Sequence, residues 1–582
     1  MVIKDCYKTY RHDQDKVVSP EKTLKRVRDR LDRLNLRVLS RTMRIDTGRL
    51  GIPVFLSFCG EDAARLTGTR KQMGKGATPA QSEASAVMEL VERFSFFSLM
   101  RGESFVRSPY GEMEDAAVSC RTLLDSVHDE ATPLDPCRRF LARCPLRWVK
   151  GHRPLGAEDL WVPIDWFFLI NEYNGPAAGN TLEEAALQGL CEVVERHAGS
   201  VVSHERRVVP SIDPASVTDP VALELMERFR ARDIRLFLKD FSLDTGIPTV
   251  GVLAYDPSTF PRRSEIVFTA GTATDPQKSL CRALTETAQL AGDFENRTSY
   301  RPTLPKYGSL EEAAYLMEPS PAVPVGALPC LSDDNLRVEI QRCLDALQGI
   351  GLDVLLVDAT HGDLDVPVVY VIVPGAHFLE RTRNTDFVQH AARTLVRGLD
   401  PPELAVQLER LREIFGPRYD TTFFLAHSLE LQGRAEEALE LFRLALEEDP
   451  REGEVASVHV HIASCLKELE RYDQALESLE IAEEHNDELK EIYNLRGFCF
   501  FRQGRHEEAV EAFEKAIELD PGSAIDYANI GSNLREMGRK REAVKLYRMA
   551  LELDPDIDFA RWNLEKLEKE LGESAGKAES SR

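Results

Sequence analysis

The amino-acid sequence predicts an α/β domain followed by an all-α solenoid of helical repeats. Strand-like apolar runs alternate with helix-like segments through the first two thirds of the chain, and from about Gly416 the pattern is helical throughout. In that last part, Gly504-Arg505 recurs as Gly538-Arg539, a period of 34 residues. A chain of 582 residues is also too long for one hydrophobic core. We therefore expect at least two domains.

The composition is that of an ordinary globular protein, with 43% hydrophobic and 29% charged residues. The net charge of -24 argues against a nucleic-acid-binding surface, which requires basic patches. No apolar run reaches the length of a membrane span, and the first residues do not resemble a signal peptide. The 11 cysteines are scattered without a C-x-x-C pair. We therefore expect reduced thiols in a cytoplasmic protein, with no membrane or nucleic-acid partner and no zinc or iron–sulfur site.

The N-terminal part leads from a polar start to a candidate anion site. Residues 1–15 are predicted to be flexible and are too few to form a precursor-peptide recognition domain. Lys16 precedes a basic helix that opens with a Ser-Pro pair. A polar loop over 60–74 then brings Lys75 and Gly76 to the start of the next helix. Backbone N–H groups at a helix start favour bound anions, so this loop is a candidate phosphate site.

That next helix is predicted to begin at Thr78-Pro79, a capping residue followed by proline at the first helical position. Ser85, Glu89 and Glu92 follow at i, i+4 and i+7. This spacing places the three side chains in one polar stripe along the helix.

Residues 179–196 are predicted to form the central helix of the domain, capped by Asn180 or Thr181. At about 100° per residue, five polar side chains fall within roughly one third of the helix circumference. A solvated face would include Lys or Arg to relieve the like-charge repulsion, and only Arg196 does so here. The alternative interpretation is a solvent-facing acidic helix. The stripe consists of Asn180, Glu184, Gln188, Glu192 and Glu195.

A third helix begins at Asp275-Pro276 and places Arg282 and Glu286 at i, i+4. We expect both side chains to face the same site as the two earlier stripes. The alternative is a surface ion pair worth about 0.3–0.5 kcal/mol. The apolar runs around this helix predict the strands of a mixed α/β core, at 234–238, 248–254, 265–270, 353–358 and 366–373.

The acidic residues of the first two stripes predict a metal site. Glu89 and Glu92 are three residues apart, and so are Glu192 and Glu195. If the two helices face each other, four carboxylates are concentrated, and such a cluster requires cations. Mg²⁺ takes hard oxygen ligands and often bridges carboxylates to nucleotide phosphates. We therefore predict Mg²⁺ with a nucleotide between the helices, although neither G-x-x-x-x-G-K-[ST] nor G-x-G-x-x-G occurs in the chain.

The helical region has the features of about four tetratricopeptide repeats followed by a polar capping helix. Asp-Pro pairs separate the units at Asp449, Asp520 and Asp554, and a degenerate copy carries Glu470-Arg471 in place of Gly-Arg. The predicted divisions are a flexible N-terminus over 1–15, the α/β domain over 16–398, a linker or helix over 399–415, the repeats and capping helix over 416–571, and a disordered tail over 572–582.

The α/β domain resembles the YcaO family over roughly residues 16–397, with the motifs in family order and at family-like spacing. The family binds ATP and Mg²⁺ without a P-loop, so the resemblance implies the same cofactors here. The residues that carry it are Lys75-Gly76-Ala77 with 85–93 as the first signature, 179–196 as the second, 282–286 as the third, and the shorter phrases 51–54, 357–360, 366–368 and Pro374-Gly375.

The resemblance also implies roles for individual residues. It implies that Lys16 and Thr23 contact the phosphates of ATP. The alternative for these two residues is helix capping with a solvated lysine. The implied catalytic residues are Glu89, Glu195, Arg282 and Glu286, and the implied Mg²⁺ ligands are Glu89, Glu92, Glu192 and Glu195. The implied ATP-binding residues are Lys16, Thr23, Lys75, Ser85, Glu92, Asn180, Glu184, Gln188, Arg196, Arg282 and Glu286.

Members of the YcaO family use ATP to phosphorylate a backbone amide oxygen of a peptide. A side-chain nucleophile then gives an azoline, and an external sulfide gives a thioamide. Azoline-forming members often end in a Pro-x-Pro-x-Pro tail, which the last residues of this sequence do not contain. We therefore expect thioamide formation or a related backbone activation, with a TfuA-like partner.

Two other functions stay open at this point. One is an accessory role beside a methylthiotransferase that acts on a ribosomal protein, a role associated with a repeat-bearing relative. The other is a non-catalytic scaffold that senses nucleotide and binds partners through its repeats. The concave face of such repeats typically takes a peptide or protein segment, and their alternative role is dimerisation. The resemblance implies a homodimer.

Overall fold

The computed structural model describes residues 1–12, 15–102, 104–295, 304–378 and 385–579. The chain divides into two units, Met1–His390 and Ala391–Arg582. The first unit is mixed α/β and the second is helical, as the sequence predicts. The division falls inside the helix Phe387–Gly398, a few residues before the predicted boundary at 398. Within the described ranges, no helix combines the length and apolarity needed to cross a membrane.

The first unit alternates helices with strands along its whole length. Its helices are α1 (Pro20–Leu31), α2 (Glu61–Thr67), α3 (Pro79–Arg101), α4 (Tyr110–Met113), α5 (Cys120–Ser126), α6 (Leu134–Leu141), α7 (Ile164–Asn171), α8 (Leu182–Glu205), α9 (Pro220–Arg230), α10 (Pro276–Ala291), α11 (Ala314–Met317) and α12 (Leu336–Gly349). The next helix, α13 (Phe387–Gly398), contains the division between the two units.

The strands of this unit form two larger sheets, a three-stranded sheet and a hairpin. They are β1 (Tyr10–Arg11), β2 (Asp15–Lys16), β3 (Leu39–Arg44), β4 (Val54–Cys59), β5 (Lys71–Lys75), β6 (Val106–Pro109), β7 (Pro145–Arg153), β8 (Glu158–Pro163), β9 (Pro176–Ala178), β10 (Ser211–Asp213), β11 (Arg235–Asp240), β12 (Thr249–Tyr255), β13 (Val267–Thr272), β14 (Ala322–Pro324), β15 (Leu355–Asp358) and β16 (Val368–Ile372).

One larger sheet has the order β13-β12-β11-β10-β14, in which only the β10–β14 pair is parallel. The other has the antiparallel order β6-β7-β15-β16-β9, and β8 pairs with β7. The three-stranded sheet is β3-β4-β5. Helix α8 packs against strands of both larger sheets, so it lies where the two sheets meet.

The first larger sheet is covered on both faces. Val250, Val252 and Ala254 of β12 enter a core cluster with residues of α9 and α10. Leu253 points the other way and packs in a second cluster with Ala198 of α8. This alternation follows from the two-residue period of a strand, and it holds α8 and α10 on opposite faces of one sheet.

Three helix starts are fixed by the capping residues that the sequence indicates. The Thr78 hydroxyl accepts a hydrogen bond from the Gln81 amide at the start of α3. The Thr181 hydroxyl accepts one from Glu184 at the start of α8, and the Asp275 carboxylate caps α10. Because each cap sets where its helix begins, it also sets the rotation of the polar stripe.

Glycines let two of these helices lie close to strands. A Cβ added at Gly74 of β5 would lie 2.1 Å from the Ala86 amide nitrogen of α3. A Cβ added at Gly271 of β13 would lie 2.4 Å from the Ala283 amide nitrogen of α10. Both distances are far inside van der Waals contact, so only glycine permits this spacing between strand and helix.

The N-terminal segment differs from the flexible start that the sequence predicts. The Lys8 side chain is buried and forms ion pairs with Asp15 and Glu339. The Cys6 amide donates a hydrogen bond to the Asn335 side chain. The polar composition of this segment does not indicate the contacts with Asn335 and Glu339, because these two residues lie more than three hundred residues away in sequence.

The second unit continues with helices that pair in sequence. They are α14 (Pro401–Phe415), α15 (Tyr419–Leu431), α16 (Ala435–Glu447), α17 (Glu452–Glu468), α18 (Tyr472–His485), α19 (Lys490–Arg502), α20 (His506–Leu519), α21 (Ala524–Glu536), α22 (Lys540–Leu553) and α23 (Asp558–Glu579).

The recurring glycine of the repeats lies in the turn between paired helices. Gly433, Gly504 and Gly538 have φ angles of 73°, 74° and 78°, a left-handed conformation that glycine adopts without strain. The degenerate copy places Glu470 there, at φ 56°. The same turn is therefore kept in all four copies, with a side chain accepted in one.

Two helices of the repeat region are longer than their neighbours or than the sequence predicts. Helix α17 has 17 residues, whereas α15 has 13, so the extra residues of the first repeat step lengthen α17. Helix α23 runs to Glu579, into the tail over 572–582 that the sequence predicts to be disordered. Residues 580–582 lie outside the described residues.

Candidate functional site

A cavity of about 310 Å³ lies between α3, α8 and α10, with α1 and β5 completing its wall. Every site residue predicted from the sequence lines this cavity. The set comprises Lys16, Thr23, Lys75, Ser85, Glu89, Glu92, Asn180, Glu184, Gln188, Glu192, Glu195, Arg196, Arg282 and Glu286. The helix stripes therefore face one another across a common space.

One network of charges joins α8 to α10. Glu195 Oε1 lies 3.2 Å from Arg196 Nη1, and Glu195 Oε2 accepts a hydrogen bond of 3.1 Å from the Thr272 amide. Arg282 Nη2 lies 4.0 Å from Glu195 Oε2, while Arg282 Nη1 donates to Gln188 at 2.8 Å. Glu195 is 2% exposed, so the solvent-facing alternative for this helix is wrong.

A second network extends to β5. The Lys75 ammonium group forms an ion pair with Glu286 Oε2, and Arg196 Nη2 lies 4.0 Å from Glu286 Oε1. Arg282 and Glu286 are 9% and 7% exposed and have different partners. The alternative of a surface ion pair between them is therefore also wrong. Both side chains face the cavity.

The start of α8 forms a polar wall with the N-terminal region. Glu184 Oε1 accepts hydrogen bonds from the amide and side-chain nitrogens of Asn180, at 3.2 and 2.9 Å. Lys16 Nζ lies 3.7 Å from the same oxygen. The Thr23 hydroxyl donates to Asn180 Oδ1 at 3.0 Å. Lys16 and Thr23 thus contact the central helix rather than only capping α1.

The α3 side of the cavity contains a cation that sequence reasoning did not assign to the site. Arg93 lines the cavity, and its Nε lies 3.5 Å from Glu92 Oε1. Its Nη1 donates to the Tyr173 carbonyl at 2.9 Å. The signal was present in the sequence, because Arg93 follows Glu92 as Arg196 follows Glu195.

Protein surroundings shift the titration of the acidic residues. Burial raises the pKa of Glu89 and raises that of Glu92 well above its ordinary value, against the attraction of Arg93. Burial also raises the pKa of Glu195 despite the adjacent Arg196. For Glu286, burial works in the same direction, but Lys75 and the two arginines outweigh it and hold the pKa below its usual value.

These residues fit a metal-bound polyphosphate. The carboxylates supply oxygen ligands of the kind that Mg²⁺ prefers. Burial raises the pKa values of Glu89, Glu92 and Glu195, and a bound cation would favour their charged forms. Within the described residues, Arg282 Nε is buried without a hydrogen-bond partner. A buried guanidinium nitrogen of this kind can donate to a phosphate oxygen.

The two cysteines in the signature helices serve packing. Cys191 and Cys281 are both buried. Burial raises the pKa of the Cys191 thiol to about 12, so the thiolate needed for nucleophilic attack does not form at neutral pH.

Comparisons with known proteins agree with this architecture. A family model described as YcaO cyclodehydratase, ATP- and Mg²⁺-binding, matches residues 73–377. A tetratricopeptide-repeat model matches 454–521 and 488–556. A solved heterocyclase in complex with substrate and cofactor is 24% identical and covers 65% of this chain and 54% of its own. Its TM-score of 0.52 shows a shared fold.

Relatives of known sequence include an uncharacterised protein of Methanothermobacter thermautotrophicus, 30% identical over 62% of this chain and 94% of that protein. An uncharacterised protein in the tfuA 3′ region of Rhizobium leguminosarum bv. trifolii is 27% identical over 66% of this chain and 94% of its own. The ribosomal protein S12 methylthiotransferase accessory factor YcaO of Escherichia coli is 27% identical over 32% of this chain and 35% of that protein.

The family model spans more than half of the chain, and its description names the two cofactors that the sequence predicts. With the repeats that follow, the chain belongs to the YcaO family of ATP- and Mg²⁺-binding cyclodehydratases and carries tetratricopeptide repeats after its YcaO domain.

Proposed function

We propose that this chain uses ATP and Mg²⁺ to phosphorylate a backbone amide oxygen of a peptide or protein. The observation that carries this proposal is the gathering of acidic residues from α3 and α8 beside Lys75, Arg196 and Arg282 in one cavity. Buried like charges are costly unless cations accompany them. A metal-bound polyphosphate supplies both the cation and a partner for the basic side chains.

The proposed Mg²⁺ ligands are Glu89, Glu92, Glu192 and Glu195. They come from facing stripes of α3 and α8, and all four line the cavity. The Glu192 carboxylate is already held by a hydrogen bond of 3.2 Å from the Gly175 amide. A fixed carboxylate loses little freedom when a metal binds, which favours binding.

The proposed phosphate ligands are Lys75, Arg196 and Arg282. Glu286 holds the Lys75 ammonium group, and Gln188 holds the Arg282 guanidinium group. Glu286 and Gln188 orient these cations, and both are also proposed to contact ATP, since both line the cavity. At the other end of the cavity, the remainder of ATP is proposed to contact Lys16, Thr23, Ser85, Asn180 and Glu184. Glu184 contacts Lys16 and Asn180, and Asn180 accepts the hydrogen bond of Thr23.

ATP supplies the transferred phosphoryl group, and Mg²⁺ offsets the charge on it. An amide oxygen is a weak nucleophile, so the chain contributes by aligning that oxygen and by placing positive charge beside the phosphoryl oxygens. The proposed catalytic residues are Glu89, Glu195, Arg282 and Glu286. Attack by a nucleophile on the activated carbon then expels the former amide oxygen as phosphate.

The nucleophile decides the product. A neighbouring Cys, Ser or Thr side chain gives an azoline, and an external sulfide gives a thioamide. We propose thioamide formation first, and the Rhizobium relative in the tfuA 3′ region supports a TfuA-like partner. The accessory role in ribosomal protein methylthiolation is the second candidate, favoured by the similarity to the E. coli methylthiotransferase accessory factor.

The repeats are proposed to bind the peptide substrate or a partner protein, with homodimer formation as the alternative. Sedimentation of the full chain, with and without a candidate peptide, separates the two roles. A monomer that gains mass on adding the peptide supports docking. A concentration-dependent dimer whose mass does not change when the peptide is added supports dimerisation as the role of the repeats.

Calorimetry with the ATP analogue AMP-PCP at fixed Mg²⁺ tests the site. Glu92→Gln and Glu195→Gln should each weaken binding by roughly tenfold or more, because each removes a charged oxygen ligand. Glu83→Gln on α3 and Glu205→Gln on α8 are matched controls, since neither residue lines the cavity. Unchanged AMP-PCP affinity in both site variants would contradict the assignment of Glu92 and Glu195 to the nucleotide and Mg²⁺ site.

The reaction is tested by mass spectrometry of candidate peptides incubated with ATP, Mg²⁺ and sulfide. Loss of one water indicates an azoline, and exchange of oxygen for sulfur indicates a thioamide. Peptide labelled with ¹⁸O at the amide should pass its label to phosphate in either case. Nucleotide binding without label transfer to any peptide would favour the non-catalytic scaffold.

A further inference from the structure

The repeat region contains a cluster of metal-ligating side chains that the proposed reaction does not use. His427 and Glu430 lie three residues apart on α15, so they share one face of that helix. His461 reaches the same place from α17. The two helices belong to consecutive repeats and contact each other. Three ligand atoms from these side chains lie within 4.8 Å of one another.

The geometry of the cluster is close to that of a metal site. His461 Nδ1 lies 2.8 Å from Glu430 Oε2, and His427 Nδ1 lies 3.3 Å from the same oxygen. Around a tetrahedral zinc ion with bonds near 2.1 Å, ligand atoms are about 3.4 Å apart. Both observed separations are shorter than that value, by no more than about 0.6 Å. Small side-chain rotations would therefore bring all three atoms around one ion.

The rings are already oriented by their neighbours. The His461 ring stacks on Phe442, with centroids 5.2 Å apart and an interplanar angle of 16°. Phe423 contacts the same imidazole edge-on at 5.3 Å. The His427 and His461 rings are themselves 5.0 Å apart. A histidine held in this way gives up little rotational freedom on binding a metal.

Charge and exposure also favour a cation. Among the described residues, the ion-pair partners of Glu430 are the two imidazoles and include no Lys or Arg. The three side chains are 16–27% exposed, so an ion could enter from solvent and keep an open coordination position. Two imidazoles and one carboxylate are a donor set that suits zinc.

We propose that His427, Glu430 and His461 bind a divalent transition-metal ion, with Zn²⁺ the best match. The ion would link the first two repeats and leave a position for water or for a ligand atom of a bound protein. This site is independent of the nucleotide cavity, which offers Mg²⁺ only oxygen ligands.

The test uses the full-length chain, stripped with a chelator and returned to buffer that contains excess Mg²⁺ and a phosphine reductant. Zn²⁺ is titrated by calorimetry, and melting is followed with and without Zn²⁺. The variants are His461→Ala and Glu430→Gln. His459→Ala is the matched control, because His459 lies on the same helix but its Nδ1 contacts Ser478. Zinc bound weakly to cysteines would affect all four proteins equally.

We expect one equivalent of Zn²⁺ in the parent and in the control, with a raised melting temperature. Both site variants should lose roughly tenfold or more in affinity, together with the rise in melting temperature. Equal zinc binding in all four proteins, or none in the parent, would overturn the proposal and leave a hydrogen-bonded link between α15 and α17. If His461→Ala does not fold, the near-isosteric Glu430→Gln decides the result, and circular dichroism checks its fold.

Discussion

Replacing Lys75 with methionine removes the cation closest to Glu286 and keeps a flexible side chain in its place. The two side chains are ion-paired, and Glu286 is buried while the Lys75 side chain is 18% exposed. Deleting one partner of a buried pair costs about 3–5 kcal/mol, because the other charge stays buried. Arg196 still lies 4.0 Å from Glu286, and the cavity admits water. We therefore expect a loss in the free energy of unfolding of about 2 kcal/mol.

A double substitution isolates the pair. Glu286→Gln removes the carboxylate charge that Lys75→Met leaves without its ion-pair partner. The Lys75→Met/Glu286→Gln variant should therefore lose less stability than the two single variants lose in sum. The expected coupling is about 1–2 kcal/mol. Urea unfolding followed by tryptophan fluorescence is a suitable assay, since Trp148 and Trp166 are buried in the first unit. Lys71→Met, at an exposed position on the same strand, is the matched control.

The pH dependence gives an independent check. Lys75 and the two arginines overcome the effect of burial and lower the pKa of Glu286. A carboxyl group with a lowered folded-state pKa stabilises the fold above its unfolded pKa and loses that contribution as the pH falls through the folded pKa. The cost of Lys75→Met should therefore shrink below about pH 4. Strictly additive losses at pH 7, or a cost that does not change with pH, would refute this account of the network.

Two further predictions concern the first unit. Burial, with the neighbouring imidazoles, lowers the pKa values of His197 and His377 to about 4, so stability should fall as the pH drops from about 6.5 to 4. In urea titrations across that range, His197→Gln should flatten the curve, and a curve identical to the parent's would contradict the assignment. Gly271→Ala places a Cβ 2.4 Å from the Ala283 nitrogen of α10 and should cost about 1–3 kcal/mol and weaken AMP-PCP binding. Gly326→Ala meets nothing within 4 Å and should change neither quantity; equal effects of the two substitutions would argue against the role of the close helix–strand contact.

Local sequence signals were sufficient to place the site on its helices. The caps at Thr78, Thr181 and Asp275 fix where α3, α8 and α10 begin, and the helical period then fixes which side chains share a face. These signals act within a few residues. That is why the stripes could be identified without knowledge of the rest of the fold.

Pairings between distant segments could not be obtained in this way. The i, i+4 spacing of Arg282 and Glu286 is compatible with a surface pair, and only the fold shows that Glu286 meets Lys75, 211 residues away. The buried N-terminal Lys8 was missed for the same reason, since a polar composition is typical of a flexible segment. The tail was predicted to be disordered for its polarity, although α23 continues through it to Glu579.

The packing of the N-terminal segment has a consequence for how the domain is completed during synthesis. Lys8 is made 331 residues before its partner Glu339. Contacts of such sequence separation carry a large loop-closure cost and form late. The same segment holds α8, because the Val17 amide donates a hydrogen bond to Glu184. A nascent chain that has not reached α12 therefore lacks the buried partner of Lys8. We expect the neighbouring wall of the cavity to reach its final form only after that helix has emerged.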